Sequence, residues 1–222
     1  MSRVTFFFVS IIVLLGSCSK EKKTTLIGDD QVGMIGYGSL MSLQSMEESL
    51  GREYLDSSYI VHVGGYEREW TYIRRNDDPL TGPDTTGKKG FYIHNNDTVP
   101  FHSTISLNIA ENKNSTINGI LYIISKKELE LFDKREIGYK RIDVTRGIQE
   151  YEITNGKVYT YMATPEYTKG IAFDSVSDII EKSYVELVYQ ACDSLGVTFR
   201  KEYDVSTKPF NARVADKIFW RK

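Results

Sequence analysis

The chain has 222 residues, of which 41% are hydrophobic, 12% aromatic and 26% charged, and its formal net charge is −2. This composition is typical of one globular domain with or without tails, and it excludes a collagen-like, low-complexity or wholly disordered chain. The slightly negative charge offers no basic field for binding nucleic acid. Two cysteines exclude a disulfide scaffold and a four-cysteine zinc site, and the three histidines have no spacing typical of a metal site.

The first residues predict a targeting segment. Arg3 precedes an apolar run at 5–15 that is too short for a typical membrane-spanning helix, and the run ends in the letters L-G-S-C at 15–18. This order resembles a bacterial lipoprotein signal, in which the cysteine is lipidated and becomes the first mature residue. We therefore expect Cys18 to anchor the protein to the membrane of a bacterial cell envelope, facing the periplasm or the surface. A cleaved signal with an incidental cysteine, or a single anchor helix, remains the alternative.

Periodicity and turn residues predict the elements that follow. Strands are predicted at 31–37, 59–63, 70–74, 101–109, 117–124, 139–144 and 157–163. Helices are predicted at 41–50, after a capping box at 125–128, and at 183–195. Connections are predicted at the glycine pair 64–65, as a long surface loop at 76–89, and as a hairpin turn at 111–116.

The order of these elements predicts the fold class. Several strands are consecutive and only about three helices interrupt them, which favours an α+β fold with a mainly antiparallel sheet or barrel over a doubly wound parallel sheet. We expect four segments, namely a signal peptide at 1–17, a lipidated tether at 18–30, a folded domain at 31–200 and a C-terminal extension at 201–222.

One carboxylate stands out as a candidate for chemistry. Leu129, Phe132 and Glu136 have the spacing of a single helix face, so Glu136 is predicted on an apolar stripe near the helix end. A desolvated carboxylate has a raised pKa and can carry protons near neutral pH. From the residues alone, an ordinary ion pair of Glu136 with Arg135 or Lys140 remains the alternative.

A glycine-flanked turn is the second candidate. The letters G-Y-G-S at 36–39 follow a predicted strand and precede a predicted helix, so the turn exposes backbone N–H groups that can hold a carboxylate or an oxyanion. A plain connection between strand and helix is the alternative. Cys192 lies on the apolar face of the last predicted helix, which favours a buried, inert thiol over a nucleophile.

Taken together, these segments resemble the γ-glutamylcyclotransferase-like superfamily. The letters Y-G-S-L at 37–40 are similar to its substrate-binding turn, and F-D-K-R-E-I-G-Y at 132–139 is similar to the segment that carries its single catalytic glutamate. The resemblance implies a small mixed, mainly antiparallel β-barrel with flanking helices. It also implies that Glu136 is catalytic and that the substrate is bound by Tyr37, Gly38, Ser39, Leu40, Tyr139 and Tyr161.

The reaction implied by the resemblance is intramolecular. The α-amine of a small γ-glutamyl compound attacks its own γ-carbonyl, giving 5-oxoproline and a free amine, with Glu136 as general acid and base and with no metal or cofactor. Two positions depart from the family pattern, because Leu40 replaces a frequent asparagine and Ile137 replaces the glycine after the glutamate. A non-catalytic envelope lipoprotein that binds a γ-glutamyl or amino-acid ligand in the same fold is the alternative function.

Overall fold

A computed structural model of the chain describes residues 22–78, 89–169, 177–210 and 212–221. The predicted signal peptide at 1–17, Cys18 and residues 79–88 of the predicted loop lie outside these residues. The helices are α1 (Leu43–Leu50), α2 (Lys126–Arg135), α3 (Lys182–Ser194) and α4 (Val197–Val205). The strands are β1 (Lys23–Leu26), β2 (Gln31–Gly36), β3 (Ser58–Arg75), β4 (Lys89–His94), β5 (Asp97–Pro100), β6 (Ser103–Ser125), β7 (Tyr139–Asp143), β8 (Tyr151–Asn155), β9 (Val158–Ala163), β10 (Asp178–Glu181), β11 (Arg213–Ala215) and β12 (Ile218–Arg221).

The described strands form one large mixed sheet and two small ones. The large sheet has the order β11-β10-β6-β2-β9-β7, and β3 pairs with β6 outside this path. Its longest pairing, β3 with β6, is antiparallel, as are β2 with β6 and β7 with β9. The predicted α+β class with a mainly antiparallel sheet is confirmed. The pairings of the described residues do not join β11 to β7, so they do not close the sheet into a barrel.

The strands β3 and β6 correct two predicted breaks. Residues 111–116 were expected to form a hairpin turn and Gly64-Gly65 to separate two strands, yet both stretches lie within continuous strands that pair with each other. The shift in register between Gly64 and Tyr66 shows that the glycine pair forms an irregularity in the ladder rather than a break. Residues 111–116 are polar because this part of the two-stranded ribbon is exposed or half-buried.

Both ends of the described chain take part in sheets. Strand β1 lies within the segment expected to be a solvated tether, but it pairs in parallel with β8, and Ile27 directly after it is fully buried. Strands β11 and β12 lie within the predicted C-terminal extension and pair with β10 and β4. Among the described residues, no helix is long and apolar enough to cross a membrane.

The core places β2 and α2 side by side. Strand β2 lies between β6 and β9 and is buried along most of its length. Helix α2 begins with the predicted capping box, in which Ser125 Oγ accepts from Glu128 N at 3.2 Å and a Glu128 carboxylate oxygen accepts from Ser125 N at 2.8 Å. Leu129 and Phe132 are buried, as the helical spacing predicts. The C-terminal ends of β2 and α2 therefore meet at the same place in the molecule.

Candidate active site

The turn after β2 requires glycine for steric reasons. A Cβ at Gly36 would lie 2.4 Å from the carbonyl oxygen of Leu40, and a Cβ at Gly38 would lie 3.2 Å from the hydroxyl of Tyr184. The chain then forms one turn of 3₁₀ helix at Ser39–Met41, in which Met41 N donates to Gly38 O at 3.0 Å. The N–H groups that precede this first bond are not used within the helical turn, and that of Ser39 interacts with the hydroxyl of Tyr184 in the pocket wall.

Glu136 lies at the C-cap of α2, where three successive carbonyl groups fix the backbone. The carbonyl of Glu136 accepts from Tyr139 N at 3.0 Å, that of Ile137 from the hydroxyl of Tyr72 at 2.8 Å, and that of Gly138 from Thr164 N at 2.9 Å. Because each of these bonds comes from a different part of the chain, the Glu136 side chain projects from a well-defined backbone.

The structure brings the predicted site residues together in one pocket. The free volume of this pocket is small, about 40 Å³. Glu136 has a side-chain exposure of 16%. The pocket contains all seven predicted catalytic and substrate-binding residues, as the sequence led us to expect, although their roles remain predictions. Its lining residues are Ile35, Gly36, Tyr37, Gly38, Ser39, Leu40, Leu107, Glu136, Tyr139, Tyr161 and Tyr184.

Glu136 is both largely buried and ion-paired, so the two alternatives considered from the sequence occur together. Burial raises the pKa of its carboxyl group above the ordinary value, and the charge of Arg135 lowers it in part. Arg135 Nη1 lies 3.1 Å from Glu136 Oε1, so the ion pair with Arg135 forms, and no ion pair with Lys140 is found in the described part of the chain. The result is a carboxylate that binds a proton more readily than an exposed glutamate does.

Tyrosines form the walls around this carboxylate. The hydroxyl of Tyr139 donates to Leu107 O at 2.8 Å, and that of Tyr161 donates to Asp133 Oδ1 at 2.8 Å. The Tyr184 hydroxyl accepts from Leu107 N at 3.4 Å, and burial raises its pKa to about 12. Burial also raises the pKa of Tyr37 and Tyr139 well above the ordinary value. These phenols therefore stay neutral at physiological pH and act as hydrogen-bonding groups.

Several residues of the site were not predicted from the sequence as part of it. Ile35, Leu107 and Tyr184 line the pocket, Tyr72 holds the backbone after Glu136, and Asp133 holds Tyr161. Tyr184 carried a usable signal, since it is a polar-tipped residue on an otherwise apolar helix face. Leu107 and Tyr72 gave no such signal, because they look like ordinary strand residues. The predicted buried thiol is confirmed, since Cys192 is fully buried and burial raises its pKa to about 12.

A wider cleft lies elsewhere, between the Gly64-Gly65 irregularity and the loop at Gly147. It encloses about 1170 Å³ and is lined by several charged residues. Of its two acidic residues, Glu111 and Asp143, the second is 41% exposed at the side chain and pairs with Lys157 at 2.9 Å. Hydrogen bonds from Thr145 and Lys157 lower the pKa of Asp143 against the opposing effect of burial, which itself raises that pKa. A carboxylate kept ionised in this way is a poor proton shuttle at neutral pH, so the smaller pocket is the better candidate.

Comparison with known proteins identifies the fold. The structure resembles that of a γ-glutamyl cyclotransferase with a TM-score of 0.52 and 10% sequence identity over 84% of this chain and 94% of that one. It also resembles YkqA from Bacillus subtilis, with a TM-score of 0.52 and 15% identity over 79% of this chain. The match spans 54% of the length of YkqA. No protein-family model matches the sequence, and no curated protein matches it significantly.

These likenesses show the fold and not the activity. The chain has a γ-glutamyl cyclotransferase-like fold, which confirms at the level of the fold the resemblance that its short motifs suggest. At 10–15% identity the comparison carries no residue roles, so the chemistry must be argued from the pocket itself.

Proposed function

We propose that the protein is a γ-glutamylcyclotransferase-type enzyme that converts a small γ-glutamyl compound to 5-oxoproline and a free amine. The observation that carries the proposal is a single carboxylate, Glu136, whose pKa is raised by burial and which shares a small pocket with a turn rich in backbone donors. One proton shuttle and a set of fixed N–H donors are the groups that this cyclisation needs.

The proposed mechanism assigns a role to each part of the pocket. The turn at 36–40 holds the glutamyl part of the substrate so that its α-amine faces its own γ-carbonyl, an arrangement that favours ring closure. Glu136 accepts a proton from the α-ammonium, the amine forms the new C–N bond, and backbone N–H groups stabilise the oxyanion. Glu136 then gives its proton to the leaving nitrogen as the old C–N bond breaks, and the ring nitrogen loses its second proton, which the freed amine takes up.

The small size of the pocket favours a small ligand group at Glu136, with the leaving amine of the γ-glutamyl compound towards the mouth. If the lipid anchor predicted at Cys18 is present, the substrates are γ-glutamyl compounds of the cell envelope, either γ-glutamyl peptides or γ-glutamyl amines.

The test is an assay for 5-oxoproline with the purified chain and a panel of γ-glutamyl amino acids, γ-glutamyl amines and glutathione. We expect Glu136→Gln to lower the rate by ~10²–10⁴-fold, the usual contribution of general acid–base catalysis, with the fold retained. The matched control is Glu130→Gln, which changes an exposed glutamate of α2 and should leave the rate unaltered.

The same assay separates the proposal from its alternatives. If Glu136 is only an ion-pair residue, Glu136→Gln will change the melting temperature and leave the rate of 5-oxoproline formation at the parent value. If the parent chain binds γ-glutamyl compounds but releases no 5-oxoproline, the ligand-binding lipoprotein becomes the better description.

A further inference from the structure

An arginine is completely buried behind the pocket turn, without an acidic partner. Arg68 on β3 has an exposure of 0%, and no carboxylate in the described part of the chain forms an ion pair with it. Its guanidinium contacts only neutral oxygens. Nη1 donates to the hydroxyls of Ser206 at 3.2 Å and Thr207 at 3.0 Å, and Nη2 donates to the backbone and side-chain oxygens of Asn118. The burial of this arginine is therefore not explained by a salt bridge.

The surroundings of Arg68 leave its charge uncompensated. Its guanidinium lies 4.5 Å from the ring centre of Tyr203, and this cation–π contact stabilises the charge without neutralising it. Within the described residues, Arg68 Nε and the Tyr203 hydroxyl are buried and have no hydrogen-bond partner. Burial lowers the pKa of Arg68, but a guanidinium remains charged in proteins. Burying a charge costs free energy unless an opposite charge lies near it, so a role beyond packing would explain why Arg68 is buried here.

Two chains of contacts connect Arg68 to the pocket. Trp70, two positions further along the same face of β3, packs edge-on against Tyr184 in the pocket wall, with ring centres 5.9 Å apart. Asn118 precedes Gly119, which lies so close to the pocket turn that a Cβ there would be 2.8 Å from Gly36 O. Residues next to Arg68 in the strand and in its hydrogen bonds therefore contact the pocket wall and the turn.

The electrostatic effect of Arg68 reaches the pocket. Burial and the nearby groups Glu136 and Tyr184 raise the pKa of Tyr37, whereas the charge of Arg68 lowers it. Charges act over longer distances in a protein interior than in water, because the effective dielectric constant is lower. The other nearby cation, Arg135, forms an ion pair with Glu136 at 3.1 Å, so the positive charge of Arg135 is largely neutralised by Glu136.

We infer that Arg68 is a specificity-determining residue that selects ligands bearing a carboxylate on the glutamyl α-carbon, with its buried positive charge acting through the turn at 36–40. This inference rests on the proposed function, because the α-carboxylate is the anionic group that all γ-glutamyl compounds and the product 5-oxoproline share. Arg68 does not touch the ligand. Its positive charge opposes the negative charge of Glu136 at the turn, and so makes the turn more favourable for an anion than it would be without Arg68.

The test compares two ligands that differ in this carboxylate and need no turnover. Binding of 5-oxoproline and of 2-pyrrolidinone, the same ring without the carboxylate, is measured by titration calorimetry. We expect the parent chain to bind 5-oxoproline at least about tenfold more tightly than 2-pyrrolidinone, as a buried charge acting at low dielectric would give. Arg68→Gln should lose most of this preference, and Arg68→Lys should keep most of it because the charge remains.

A second variant tests the charge without removing the arginine. Asn118→Asp places a carboxylate where the Asn118 side-chain oxygen already accepts from Arg68 Nη2 at 3.2 Å, so it neutralises the guanidinium in place. We expect it to reduce the preference for 5-oxoproline as Arg68→Gln does, and it provides the answer if Arg68→Gln fails to fold. Arg200→Gln is the matched control, since Arg200 also lies over a tyrosine ring but pairs with Asp193 and Asp204.

The outcomes separate this inference from the proposed function. A binding preference for 5-oxoproline that depends on Arg68 supports the inference. This holds even if the parent chain forms no 5-oxoproline from any γ-glutamyl compound, because that lack of turnover would contradict only the enzyme proposal. Equal loss of both ligands in Arg68→Gln and in Asn118→Asp would mean that Arg68 has a purely structural role. Absence of any preference in the parent chain would overturn the inference directly.

Discussion

At the residue scale, the properties of Glu136 follow from opposing influences on one carboxyl group. Burial raises its pKa, and the adjacent Arg135 lowers it. A proton shuttle needs a pKa close to the working pH, and the charge of Arg135 limits how far burial raises the pKa of this carboxyl group. The ion pair with Arg135 is therefore compatible with the proposed catalytic role of Glu136, because it lowers the pKa that burial raises.

The pH dependence of the rate should report this balance. We expect kcat/KM to fall on the acidic side as Glu136 becomes protonated, with a midpoint above the ordinary pKa of a glutamate. Arg135→Gln removes the charge that lowers this pKa, so the midpoint should move to higher pH, which a pH–rate profile will measure. The control is Lys134→Gln, a charge change in the same helical turn that does not alter an ion pair with Glu136. An unchanged midpoint in Arg135→Gln would contradict the assignment of the acidic limb to Glu136.

At the element scale, the segment after α2 is shaped by a glycine that packs against an aromatic ring. Gly138 has φ of +82°, and a Cβ there would lie 2.6 Å from the ring of Tyr167. The ring of Tyr72 lies between those of Tyr139 and Tyr167, with ring centres 4.2 and 6.1 Å away. This packing, together with the three bonded carbonyls, joins α2 to β7 in the geometry that directs Glu136 into the pocket.

A pair of glycine variants separates backbone strain from this packing. Gly51 also has a positive φ, of +68°, but a Cβ there would meet nothing within 4 Å, so Gly51→Ala should cost only the conformational strain of about 1–2 kcal/mol. Gly138→Ala adds a steric clash with Tyr167 and should cost more in free energy of unfolding and lower the rate of 5-oxoproline formation. Urea unfolding and the rate assay measure both effects. Equal costs for the two variants, with full activity in both, would show that the Gly138 contact does not position Glu136.

At the scale of the whole molecule, one histidine joins distant parts of the chain. His62 on β3 contacts Glu150, just before β8, through Nδ1 at 2.5 Å, and contacts Glu202 on α4 through Nε2 at 3.1 Å. Burial lowers the pKa of His62, but the hydrogen bonds and charges of the two glutamates raise it by more, so the net shift is upward. The cluster therefore connects three parts of the chain, namely β3, the start of β8 and helix α4.

This cluster predicts how stability depends on pH. Because the folded pKa of His62 is raised above the unfolded value of about 6.5, its contribution to stability is fully present below pH ~6.5 and is lost as the pH rises through the folded pKa. His62→Gln should therefore lower the melting temperature most in mildly acidic buffer and least in alkaline buffer. His94→Gln, at an exposed histidine with no ion pair in the described residues, is the control. If the difference in melting temperature between the parent and His62→Gln does not change with pH, the charge of His62 is not the cause of that difference.

The location of the molecule remains a prediction from its first residues. If Cys18 carries the lipid anchor, Cys18→Ala should leave the chain unprocessed or free of the membrane, because the several acyl chains of a bacterial lipoprotein are what hold it stably. Labelling with radioactive palmitate and membrane fractionation measure this. A Cys18→Ala variant that still takes up the label would show that lipidation occurs at another residue and that the predicted signal is wrong.

Local features of this protein could be predicted because they depend on neighbours in the sequence. The capping box at Ser125, the apolar face carrying Leu129 and Phe132, and the helix that contains Cys192 all follow from side chains within a few positions of one another. The α+β class followed from the order of such elements, and the resemblance of the two short motifs indicated the γ-glutamyl cyclotransferase-like fold that the structure has.

Contacts between distant segments could only be decided by the tertiary structure. Residues 111–116 and Gly64-Gly65 have turn-like compositions, but they lie inside the long strands β3 and β6, at an irregularity bounded by the pairs Gly64–Thr116 and Tyr66–Glu111. The pocket joins a turn after β2 to the end of α2, and no local pattern indicates that Leu107 lines it or that Tyr72 holds the backbone beside it. Sequence spacing determines which face of a helix or strand is apolar. The packing of the elements determines which residues cover that face, and therefore how far burial raises the pKa of Glu136.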